Sequence, residues 1–132
     1  MNEFNWSIRV YYEDTDAGGV VYYANYLRFM ERARAEWLRS LGYEQDRLIQ
    51  EENLIFAVRQ ASIDYHKPAR FNDMLDINTI LHKKRGASFD IGQTIKNQQG
   101  EILCQADVKI ACLNAETMRP RPLPDHILSE FI

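Results

Sequence analysis

Over residues 6–12 apolar and polar positions alternate. Trp6, Ile8, Val10 and Tyr12 fall on one side, and Ser7, Arg9 and Tyr11 on the other. A period of two is that of a half-buried strand. Residues 13–19, polar and closed by two glycines, interrupt the pattern. From about Tyr23 the period lengthens: Leu27, Met30, Ala33 or Arg34, Trp37 and Leu41 keep helical spacing, and Gly42 stands where a C-terminal cap belongs. Phe29 and Leu38 widen this stripe. A helix apolar on several sides belongs at the centre of a core. Beyond residues 46–53, strand character returns in four runs: 56–65, 74–84, 88–97 and 102–113. Asn97-Gln98-Gln99-Gly100 suits a hairpin loop between the last two, and Pro68 closes off the strand before it.

The order is strand, long helix, then four strands joined by short turns. That predicts an α+β fold, with an antiparallel sheet burying one face against a single dominant helix. A sheet wrapped round that helix satisfies the pattern. A cystatin-like or other α+β arrangement satisfies the element order as well.

Composition narrows the picture further. The chain has 132 residues, enough for one domain spanning 1–132 with a real core. Sixteen Lys and Arg against nineteen Asp and Glu leave a net charge of −3, which argues against general nucleic-acid affinity. No apolar run approaches the roughly eighteen residues of a membrane helix, and residues 1–7 lack the apolar stretch of a signal peptide. Cys104 and Cys112 fall in one predicted strand, about 26 Å apart at roughly 3.3 Å per residue. A disulfide needs Cα atoms within about 7 Å, so both read as small buried apolar residues. Free cysteines fit a reducing compartment, and the cytoplasm is the expected location.

Candidate chemistry concentrates in residues 11–26, between the first strand and the helix. A helix start offers unpaired N–H groups and a positive partial charge. Such groups hold a developing oxyanion, each worth about 10²–10³ in rate. Asp16 stands just before Gly18 and Gly19, which permit a tight turn and close ligand approach. A carboxylate there can attack a carbonyl or activate a water. Asp16-Ala17-Gly18-Gly19 is also an ordinary turn, and spacing alone leaves both readings open. Glu13, Asp14 and Asp16 lack the further oxygen ligands and distal Glu of a calcium loop, so no metal is expected. No nucleotide-binding or other cofactor motif occurs either.

The run from Val10 to Tyr22, followed by Tyr26-Leu27 and Glu31-Arg32-Ala33-Arg34, closely resembles the 4-hydroxybenzoyl-CoA thioesterase family, and within it the YbgC-type, Tol–Pal-associated acyl-CoA thioesterases. The resemblance spans nearly the whole chain. It extends to Pro68-Ala69-Arg70, Asp73, Arg85-Gly86-Ala87-Ser88 and Arg119-Pro120-Arg121-Pro122-Leu123-Pro124. It implies the hot-dog fold and hydrolysis of acyl-CoA, with acyl carrier protein thioesters as further donors. It also implies a homodimer, or a dimer of dimers, with pockets at the subunit interface and no cofactor. Carried over by position, the catalytic aspartate, nucleophile or general base, falls on Asp16, and the backbone N–H that polarises the thioester carbonyl falls on Tyr23. Gly18 and Gly19 match the close approach of substrate. Arg85 and Ser88 fall on a segment that contacts the CoA portion. YbgC-type members often carry His where this chain has Tyr23. The hydroxybenzoyl branch has Tyr there, so the change bears on substrate preference and rate more than on reaction type.

Other residues carry plainer readings. Glu31 matches the helix carboxylate that other hot-dog branches use in catalysis, but an ion pair with Arg34 or Arg28, or a polar anchor at the dimer seam, explains it as well. His66, His82 and His126 show no ligand spacing. Lys83, Lys84, Arg119 and Arg121 are cations that suit either solvent or coenzyme A phosphates. Two other functions remain to be weighed: a hot-dog hydratase or dehydratase, which would need a catalytic His missing from this loop, and a non-catalytic acyl-CoA binding or scaffold protein.

Overall fold

The computed structural model describes residues 3–130; residues 1–2 and 131–132, which the sequence places in the same unit, lie outside the described residues. Five strands form one antiparallel sheet: β1 (Glu3–Arg9), β2 (Leu54–Tyr65), β3 (Met74–Lys84), β4 (Ser88–Lys96) and β5 (Ile102–Asn114), in the order β1-β3-β4-β5-β2. Three helices complete it: α1 (Asn25–Ser40), α2 (Gln45–Glu52) and a single turn, α3 (Asp125–Leu128).

The inward positions of the sheet, among them Leu75, Ile77, Phe89, Ile91, Ile95, Val108 and Ile110, meet Phe29, Met30, Ala33 and Trp37 of α1. Burying each such side chain stabilises the fold by about 1.5–3 kcal/mol. Trp37 meets Phe89 edge-on at 6.1 Å, and Phe56 of β2 packs on the same ring at 5.6 Å. From the β1 edge to the β2 edge the sheet therefore closes on α1. This is the hot-dog arrangement, and it matches the expected fold class. Two facing inward positions are polar, Thr79 and Gln93. Gln93 is 1% exposed, and its Nε2 donates to Met30 O and Thr79 Oγ1, both at 3.0 Å. Those bonds offset the cost of burying an amide.

The elements depart from the expected ones at their ends. The first strand stops at Arg9 instead of Tyr12, because Asp14 Oδ2 accepts the Tyr11 N–H at 2.8 Å and turns the chain into a 3₁₀ turn, Tyr12–Asp14. β2 starts at Leu54, two residues earlier than its alternation suggests, and a bulge after Val58 breaks the period. α1 begins at Asn25, two residues later than the period suggests, and Gly42 takes φ +95° just past its end. α2 was not anticipated: its buried residue is Leu48, too little apolar surface to mark a helix in sequence. Among the described residues no helix is long and apolar enough to cross a membrane.

Cys104 and Cys112 both lie on β5, buried and unpaired, as their spacing requires. Burial pushes the Cys104 thiol up to about 12 and the Cys112 thiol up to about 11. A raised thiol pKa keeps the sulfur protonated and unreactive at neutral and mildly alkaline pH. Iodoacetamide at pH 8 is thus expected to label neither cysteine in the native protein and both in 6 M guanidinium. Rapid native labelling of either would contradict this packing.

Candidate functional site

The site begins with how the chain passes from β1 into α1. Asp14 is 7% exposed, although it lies in a polar loop. Its Oδ2 accepts from Tyr11 N at 2.8 Å, and its Oδ1 from Asn25 Nδ2 at 3.2 Å. Its carbonyl accepts from Tyr22 N at 3.0 Å. One carboxylate thus ties the loop entrance to the first residue of the helix.

Between these ties the chain forms a narrow hairpin. Thr15 bridges Val21, and Val20 bridges Arg70 beyond it. Gly19 N donates to Asp16 O at 3.0 Å, and Asp16 N to Val20 O at 2.9 Å. Gly19 sits at φ +78°, the left-handed residue that closes this kind of three-residue loop. Gly18 N donates to Asp16 Oδ1 at 2.8 Å, and a Cβ on Gly18 would stand 3.2 Å from that oxygen. Asp-Ala-Gly-Gly is therefore a tight turn and a carboxylate holder at once. Asp16 is exposed at the tip; one oxygen is anchored, and the other has no partner among the described residues.

The hairpin delivers the chain to the start of α1. Ala24, the N-cap residue, offers no side-chain acceptor. The Tyr23 N–H has no acceptor among the described residues, while its carbonyl accepts from Tyr65 Oη at 3.1 Å. This amide lies where the helix dipole adds positive potential. Beside it is an open concavity of about 250 Å³, lined by Val21, Tyr23, Tyr26, Tyr65, His66, Lys67 and Pro68. Tyr26 Oη accepts from Ala69 N at 2.9 Å, fixing the floor. Burial raises the Tyr26 and Tyr65 phenols above their ordinary value, so neither is a base near neutral pH. His66 Nε2 is engaged with Gln105 Oε1 at 3.2 Å.

The structure places Asp16, Gly18 and Gly19 in one hairpin and Tyr23 two residues beyond its Thr15–Val21 bridge, beside a concavity whose lining does not include Asp16; Arg85 and Ser88 lie elsewhere. Ser88 is buried at the start of β4, next to Phe89, which packs on Trp37 near the far end of α1. At 1.5 Å per residue, Asn25 and Trp37 are about 18 Å apart along the helix. Arg85 pairs with Asp90 at 2.7 Å and holds that carboxyl below its usual range. In one chain, then, the Arg85–Ser88 segment serves a different end of the molecule from Asp16. Glu31 is exposed, and it pairs with neither Arg34 nor Arg28 among the described residues. No cluster of potential metal ligands occurs among the described residues. Sequence reasoning missed the holding residues Asp14, Asn25 and Tyr65; an Asn at the first helical position was the one available hint.

The profile of the Thioesterase-like superfamily matches residues 10–131. The acyl-CoA thioester hydrolase YbgC of Escherichia coli O157:H7 is 46% identical over 128 residues, covering 97% of this chain and 95% of that protein. The acyl-CoA thioesterase YbgC of Haemophilus influenzae is 42% identical over 130 residues, covering 98% and 95%. Among solved structures, the crystal structure of a probable thioesterase from Bartonella henselae gives a TM-score of 0.88 at 39% identity. That match covers 92% of this chain and 99% of that one.

Asp14→Ala would strand two donors of part-buried hydrogen bonds, the Tyr11 N–H and the Asn25 amide. Urea denaturation is expected to show a loss of about 1–3 kcal/mol. An unchanged midpoint would mean that Asp14 does not hold the loop.

Proposed function

This chain belongs to the thioesterase-like superfamily and is an acyl-CoA thioesterase, and from that premise we propose that Asp16 and the Tyr23 amide carry out the hydrolysis. The observation that carries the reading is the Asp16 turn itself. It fixes one carboxylate oxygen on Gly18 N–H and leaves the other free, at the end of a hairpin leading to an unpaired helix-start amide.

The thioester carbonyl lies between the two groups, its oxygen on Tyr23 N–H. The free oxygen of Asp16 takes a proton from water as that water's oxygen bonds to the carbonyl carbon. Alternatively, it bonds to the carbon itself, and water cleaves the resulting anhydride. In both routes negative charge develops on the carbonyl oxygen, where Tyr23 N–H and the helix dipole stabilise it. The carbon–sulfur bond then breaks, giving the acid in the first route and the anhydride in the second. The electron pair leaves on sulfur, and the thiolate takes the proton that water gives up, through Asp16 in the first route and on cleavage of the anhydride in the second. A thiol pKa near 8.5 makes that departure easy without a dedicated acid. This suits a site whose neighbouring phenols stay protonated. The products are a free acid and a thiol. A pantetheine thioester on acyl carrier protein presents the same bond, and it is included as a donor in this reading.

In this reading the active unit is a homodimer, or a dimer of dimers. β2 supports this reading: at 12 residues it is long, and it ends the sheet with one side unpaired. Such an edge calls for cover. A second copy would also bring its own Arg85 segment towards Asp16, resolving the separation seen within one chain. Arg85 then meets phosphates of coenzyme A.

A thiol-release screen over short, long and aromatic acyl-CoAs tests these roles. Asp16→Asn is expected to keep fold and ligand binding but lose hydrolysis by about 10²-fold or more. In the same screen Arg85→Ala raises KM for CoA thioesters and leaves pantetheine thioesters unaffected. Full activity of Asp16→Asn would move the chemistry elsewhere, to Glu31 first.

A further inference from the structure

Arg34 occupies an unusual place for a cation. It projects from α1 towards the sheet, half-buried, and its Nη1 donates to Gln93 Oε1 at 3.0 Å. Gln93 is held by its own two bonds, so its oxygen is presented to Arg34 in a fixed orientation. Gln93 is neutral, and among the described residues no ion pair reaches the guanidinium. Burial lowers the Arg34 pKa, and the nearby charge of Glu31 offsets part of this. The hydrogen-bond partner of Arg34 is neutral and Glu31 offsets only part of the burial cost, so a carboxylate supplied from outside the chain would relieve the rest.

The guanidinium faces a cavity of about 230 Å³, whose wall includes Glu31, Trp37, Phe56, Ala57 and Val58. Ala57 and Val58 lie on β2, the strand with an open edge. Glu31 stands one helical turn from Arg34, exposed and without an ion pair among the described residues. Each chain therefore offers, beside one open edge, a half-buried cation and an exposed carboxylate on one helix face, their Cβ atoms about 5–6 Å apart. A two-fold axis matches such a patch to itself, cation to carboxylate and carboxylate to cation.

We infer that the cavity beside β2 receives a second copy of this chain, with Glu31 of each copy pairing with Arg34 of the other across the two-fold axis. The inference rests on the dimer reading above and specifies which residues set its register. It gives Glu31 a role in assembly: the symmetric contact closes two cavities at once and fixes how the Asp16 turn of one copy faces the other.

Charge reversal tests it on the full chain by sedimentation equilibrium, with circular dichroism to confirm folding. Glu31→Arg and Arg34→Glu each set like charges across the axis, and each is expected to raise the dimer dissociation constant by about 10²-fold or more. Mixing the two variants restores dimers, because both cross-pairs are then of opposite sign. The double variant Glu31→Arg/Arg34→Glu likewise dimerises with itself. Glu31→Gln, which leaves the Arg34–Gln93 contact in place, raises the constant by about 30-fold and keeps the test valid if Arg34→Glu does not fold. Wild-type affinity in Glu31→Gln and Glu31→Arg would overturn the ion pair and leave the dimer reading standing. A wild-type chain that stays monomeric at every concentration would overturn both.

Discussion

The buried carboxylate of Asp14 is the constraint on which the rest of the site depends. It accepts from the backbone before the loop and from the side chain that opens α1. The hairpin carrying Asp16 is thereby closed at its base, which fixes where its tip stands relative to the start of α1. Without that tie an exposed turn of two glycines would sample many positions, and a carboxylate at its tip would rarely meet a bound carbonyl. The neighbouring acids differ in burial: Asp14 is enclosed and holds the loop, whereas Asp16 is exposed at the tip, as its proposed role requires.

The same logic extends outwards. α1 is packed along its length by the sheet, so its N-terminus is a rigid platform for the unpaired Tyr23 amide. Its middle carries a polar chain, Thr79–Gln93–Arg34, which leads from the core to the open side beside β2. One helix thus presents an unpaired amide at its start and a half-buried cation a few turns on. In the proposed dimer these two features would meet, the second copy's Arg85 segment completing the surroundings of Asp16.

Much of this was legible from residues alone. The 3.6-residue period of Leu27, Met30, Trp37 and Leu41 gave the central helix, and alternation gave four of the five strands nearly to their ends, because each pattern reports a face that must be buried. The ends were less legible. Tyr12 continues the strand pattern but leaves the sheet, since a side-chain oxygen on Asp14 outcompetes the ladder for the Tyr11 N–H. α2 is held by little more than Leu48, and so short an apolar signal is lost among polar neighbours. Asp16 and Asp14 could not be told apart as actor and holder by spacing, because burial depends on Asn25 and Tyr22 returning from across the loop. The Arg85–Ser88 segment was recognisable by resemblance, but its distance from Asp16 follows only from the sheet order.

The central claim, that the Tyr23 amide polarises the thioester held opposite Asp16, is tested most directly by vibrational spectroscopy. Asp16→Asn protein would be loaded with an acyl-CoA carrying a ¹³C-labelled carbonyl, and the isotope-edited infrared difference spectrum recorded. The account predicts a carbonyl stretch at lower frequency than for the same thioester in solution, as hydrogen bonding from a helix-start amide weakens the double bond. A bound carbonyl with an unshifted stretch would contradict it.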